Sequence, residues 1–161
     1  MKNLRVGIRR FWNLKPMFFT SVITILVLVI LTGFIHEFGH IIVCVNDGHG
    51  FTLKFENLAL QTDCLEEPDN VLLYWALGGI FGIVSSVWLL LFRKFRTNKG
   101  MFIGVVVVAF DHFLKLIFET HPNTHDVYLH SFVFKMYLGG MVAFLWLWLL
   151  WFFRQRTKKE T

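Results

Sequence analysis

Proline is scarce in this chain, with three residues in 161, and there are only two cysteines. Little therefore interrupts helices, and a disulfide-dense secreted scaffold is excluded. No internal repeat, low-complexity tract or linker divides the chain, so residues 1–161 read as one domain. Charge is thin as well, at 17% of residues against 55% hydrophobic. A soluble domain ordinarily carries about 25% charged residues, so the composition is not that of a soluble protein. The net charge of +5 does not imply nucleic acid. The basic residues gather between apolar runs rather than on one face, a pattern that belongs to membrane topology.

What is abundant is apolar and aromatic: 19 Phe and six Trp. The reading is an all-α polytopic membrane protein with four spans, at about 17–45, 71–92, 101–118 and 127–153. Lys2, Arg5, Arg9, Arg10 and Lys15 precede the first span, and Pro16 suits its first turn. A signal peptide is disfavoured, because the run is too long, lacks a small-x-small cleavage site and leads straight into a histidine motif. Residues 46–70 are acidic, and Phe51-Thr52-Leu53-Lys54-Phe55 alternates apolar with polar, which predicts a short strand or hairpin in the first external loop. It would either cap the helices or offer an edge to an extended substrate through Phe51, Leu53 and Phe55.

The second span carries Gly78, Gly79, Gly82, Ser85 and Ser86, small residues that let another helix approach. In the third, Asp111 and Lys115 stand in the favourable order for a helical ion pair, with His112 between them. Pro122 stops that helix, and Asn123 or Thr124 can cap the next near Asp126. Gly139, Gly140 and Ala143 predict another close-packing face, and Trp146, Trp148 and Trp151 an aromatic belt at its end. The N-terminus, the second loop and the C-terminus hold 13 of the 16 Lys and Arg, so both termini are expected in the cytoplasm. Cys44 and Cys64 would pair only if their side of the membrane is oxidising, and neither has a C-x-x-C partner for zinc.

The chemistry lies in His36-Glu37-Phe38-Gly39-His40, an H-E-x-x-H motif at the end of the first apolar run. On a helix, His36 and His40 share a face where two imidazoles can bind one zinc. Glu37 is close enough to take a proton from water activated by the ion. Titratable groups in hydrocarbon are costly, so their default reading is functional. His36 lies about 28 Å along the helix from Met17, near the outer margin of a core ~30 Å thick. The loop from His121 to His130 is expected on that same side. Asp126, at a helix start, is the first choice for the third ligand, with Glu119, His121, His125 and His130 as rivals and Asp111 deeper.

The combination resembles the site-2 protease family of intramembrane zinc metalloproteases. The matching parts are H-E-x-x-H in a membrane helix, the strand-like stretch after it, Leu77-Gly78-Gly79-Ile80-Phe81-Gly82, and a Pro-containing loop leading to Asp126. The resemblance implies His36, His40 and Asp126 as zinc ligands, Glu37 as general base, and membrane-protein substrates cleaved in or near their spans. The family's Asp-Gly pair is absent, since Val127 follows Asp126. Two other readings stand beside it. His36/His40 and His121/His125 share the H-x-x-x-H spacing of a di-iron lipid oxidase, although Pro122 opposes a helical second box. A non-catalytic adaptor that binds client helices is the third.

Overall fold

The computed structural model describes residues 2–56, 59–121 and 131–159. Among the described residues, four helices are long and apolar enough to cross a membrane, the build of a multi-pass membrane protein, and a two-stranded hairpin lies between the first two. The elements are α1 (Lys2–Asn46), β1 (Phe51–Glu56), β2 (Ala59–Cys64), α2 (Val71–Trp88), a 3₁₀ turn (Leu89–Leu91), α3 (Arg93–Thr97), α4 (Lys99–Thr120) and α5 (Phe132–Lys159).

Element boundaries follow local chemistry. Asn70 starts α2 by accepting from the Leu73 N–H at 2.9 Å, and Asn98 starts α4 by accepting from Gly100 and Met101. His121 is extended, as expected of a residue before proline, and ends α4. Gly48, with φ of 79°, lets the chain turn off α1 while the His49 N–H bonds the Cys44 carbonyl at 2.8 Å.

The spans differ from expectation at their ends. Pro16 lies inside α1 rather than in its first turn, because the basic segment before it is helical too. Membrane helices tolerate such a proline where neighbours or water re-satisfy the freed carbonyl. The second span runs from Val71 to Leu91 as expected, its last turn 3₁₀, and the basic stretch after it forms α3 instead of a loop. Within the fourth span the described helix begins at Phe132, and residues 122–130, Asp126 among them, lie outside the described residues.

Three helices form the core. Ile103, Val105, Val107 and Val108 on α4 are fully buried. Leu28 of α1 packs against Val105 and Val108. On its inward face α1 presents Ser21, Thr24, Leu28, Thr32, His36 and His40, a column at intervals of three and four residues. Close approach is made by glycine: a Cβ on Gly39 would lie 2.6 Å from the Leu77 carbonyl oxygen, one on Gly79 2.6 Å from Leu116 Cβ, and one on Gly104 2.6 Å from Thr24. The fourth crossing, α5, joins through its C-terminal half. Leu149 packs on Ile103 and Val107, and the Trp146 indole donates to Ser21 Oγ at 3.0 Å.

The hairpin is antiparallel, with Phe51 opposite Cys64 and Leu53 opposite Thr62. A disulfide joins Cys44 to Cys64, tying β2 to α1 one turn beyond His40. Thr62 secures the middle of the same strand: its hydroxyl donates to the Glu37 carbonyl at 3.4 Å, and its own carbonyl accepts from the Tyr74 hydroxyl. Hence β2 is the inner strand, with Thr62 5% exposed, and β1 the outer one, with Leu53 50% and Phe55 71% exposed.

Candidate metal centre

His36 and His40 come from adjacent turns of α1, and their Nε2 atoms lie 3.2 Å apart. The Glu37 carboxylate joins them, with one potential ligand atom from each residue within 4.8 Å of the others. All three residues are buried in a span of high hydropathy. Two neutral imidazoles can satisfy each other only if one Nε2 carries a proton. A shared cation would satisfy both lone pairs at once.

The surroundings prepare His40 for a cation. Its Nδ1 lies 2.8 Å from the Tyr74 carbonyl oxygen, which only accepts, so Nδ1 carries the proton and Nε2 presents a lone pair. Metal-binding histidines are commonly oriented in this way. The Tyr74 and Trp75 rings flank the His40 imidazole, with centroids at 4.5 and 5.9 Å. Space for an ion comes from α2, where a Cβ on Gly78 would stand 2.9 Å from His36 Nε2 and closer still to His40 Nε2. Nitrogen donors four residues apart on one helical face, with a carboxylate beside them, suit zinc. By geometry and by donor chemistry, the residues fit the ion.

Beneath the site lies His112 of α4, its ring stacked on that of His36 at 5.4 Å. The Thr32 hydroxyl donates to the Leu28 carbonyl at 2.7 Å, so its oxygen accepts from His112 Nε2–H at 2.8 Å. His112 thereby holds His36 from the bundle interior. Asp111 and Lys115 form the expected ion pair at 2.9 Å, with both side chains about one-third exposed.

Of the residues singled out from the sequence, His36, Glu37 and His40 come together. Phe51, Leu53 and Phe55 share one face of the outer strand and are exposed. Leu53 sits opposite Thr62, the residue bonded to the Glu37 backbone. Asp126 lies outside the described residues. Sequence reasoning treated Gly78 as a packing residue and missed that it forms the wall of the site. It also missed Tyr74, whose carbonyl sets the His40 tautomer. The H-E-x-x-H motif followed by a Gly-Gly span hinted at the first, while no sequence signal marked the second. No known family, characterised protein or solved structure matches the chain.

Proposed function

We propose that this chain is an intramembrane zinc metalloprotease of the site-2 protease kind, hydrolysing peptide bonds in or near the transmembrane segments of membrane proteins. The observation that carries the reading is the meeting of two buried imidazole Nε2 atoms at 3.2 Å, next to a glutamate, in a helix apolar enough to cross a bilayer. His36 and His40 would hold the ion, and a carboxylate from the later part of the chain would join them, Asp126 by the resemblance. Zinc held there supplies a Lewis acid that polarises the scissile carbonyl and activates water.

The remaining steps belong to the chain. Glu37 takes the proton from the attacking water and delivers it to the leaving amine. Burial of the three residues keeps bulk water away and strengthens each charge interaction. A transmembrane helix hides its amides, so the substrate must be drawn out locally. The outer edge of β1 supplies backbone partners for an extended strand, and Phe51, Leu53 and Phe55 line the face it would meet. The disulfide and the Thr62 bonds hold that edge at a set height above Glu37.

The same disulfide supports the orientation with both termini in the cytoplasm. A disulfide persists on an oxidising side, and a hairpin on that side agrees with basic segments remaining inside.

The test is cleavage of a panel of single-span membrane peptides in liposomes, followed by mass spectrometry. Cleavage that stops in Glu37→Gln and with a zinc chelator is expected. Peptide binding without cleavage in both wild type and Glu37→Gln would instead mark an adaptor.

A further inference from the structure

Glu119 stands in the last turn of α4, inside a segment apolar enough to cross a membrane, yet it is only 7% exposed. Its Oε2 lies 3.6 Å from His36 Nε2, the same nitrogen that faces His40 Nε2 at 3.2 Å. Donor atoms from α1 and α4 thus both approach His36 Nε2. Zinc–nitrogen and zinc–oxygen distances of ~2.0–2.2 Å in a tetrahedron require donor–donor separations of roughly 3.3–3.5 Å. The two observed separations fall on either side of that range. A separation of 3.6 Å is also too long for a direct hydrogen bond, which ends near ~3.2 Å.

Lys115, one turn earlier on α4, is bonded to Asp111 at 2.9 Å, and that pair is about one-third exposed while Glu119 is buried toward His36. His112 from the same helix stacks on the His36 ring and directs its Nε2–H to Thr32. Of the two acidic side chains of α4, Asp111 pairs with Lys115 and Glu119 is the one that reaches His36.

We propose that Glu119 is the third protein ligand of the metal, completing a two-histidine, one-glutamate set with His36 and His40. The inference rests on the metal-centre reading and puts Glu119 where the resemblance puts Asp126. Three protein ligands leave the fourth position open to water, as hydrolytic zinc requires. The two glutamates then divide the work: Glu119 carries the ion, and Glu37 moves the proton.

The experiment is zinc competition against a chromophoric chelator, on metal-stripped full-length chain reloaded in detergent micelles, with elution volume and helical circular dichroism as folding controls. Wild type should bind one zinc per chain. Glu119→Gln should weaken binding by more than the ~10–100-fold that loss of an outer partner costs, while Asp126→Asn stays within about tenfold of wild type. Glu119→His, which keeps a ligand of another kind, should bind zinc more tightly than Glu119→Gln. Wild-type affinity in Glu119→Gln, or equal loss in the Gln and His variants, would overturn the assignment while the metal centre stood. A wild-type chain that binds no zinc would overturn both.

Discussion

Two glycine pairs in this molecule lead opposite lives. On α2, Gly78 and Gly79 are pressed against neighbours: a Cβ on Gly78 would run into His36 and His40, and one on Gly79 into Leu116. On α5, Gly139 and Gly140 have no atom of the described residues within 4 Å of where a Cβ would be. The expected close-packing face at Gly139, Gly140 and Ala143 is thus not formed within the described chain. An open apolar groove of about 480 Å³ lies there instead, lined by Phe110, Tyr137, Gly140, Met141, Phe144 and Leu145. The same dipeptide walls a candidate metal centre in one helix and lies on a bare surface in another. What separates them is the partner. The α2 pair faces a polar column on α1 that must be approached closely, and the α5 pair stands beyond the half of its helix that docks on α4.

Substitutions sharpen this contrast. Gly78→Ala should abolish zinc binding outright, because the new methyl occupies the space between the two Nε2 atoms. Overpacking should also cost about 1–3 kcal/mol of stability. Gly140→Ala should leave metal binding untouched and stabilise the helix by roughly 0.5–1 kcal/mol. Metal content and thermal unfolding of the two purified variants would check both. Equal behaviour would erase the distinction between the helices.

Next in size is the tie between hairpin and motif helix. Cys44 and Cys64 are 20 residues apart, and a loop of that order contributes about 3 kcal/mol in the chain-entropy model. A Cys44→Ser/Cys64→Ser variant should unfold correspondingly earlier and cleave peptides more slowly, while its zinc content is unchanged. Loss of zinc in that variant would mean that the hairpin builds the metal centre rather than the substrate edge.

Thr32→Val leaves the buried His112 Nε2–H without its acceptor, a loss of about 1–3 kcal/mol. Unfolding in detergent should register it. The smallest effect belongs to Lys54→Ala. Its ammonium lies 2.7 Å from Asp63 across the hairpin, but both side chains are half exposed, so removal should cost under ~1 kcal/mol.

Much of the architecture was legible because membrane solvent imposes simple rules. Apolar length marked the four spans, alternation at Phe51–Phe55 marked the hairpin, and the spacing of His36 and His40 marked the shared face. The order of Asp111 and Lys115 likewise predicted their ion pair. Features that depend on which helices meet could not be read along the chain. Gly78 differs from Gly140 only in what faces it, the Tyr74 carbonyl is anonymous in sequence, and Glu119 reaches His36 only because α1 and α4 cross at that height. The same holds for Cys44 and Cys64, whose pairing needs β2 laid along α1.

The central claim is that two imidazoles at the end of α1 hold one hydrolytic zinc. Elemental analysis of the purified full-length chain tests it most directly. One zinc per chain is expected, retained in Glu37→Gln and lost in His36→Ala and His40→Ala. Two irons per chain, or zinc that survives removal of both histidines, would contradict the account.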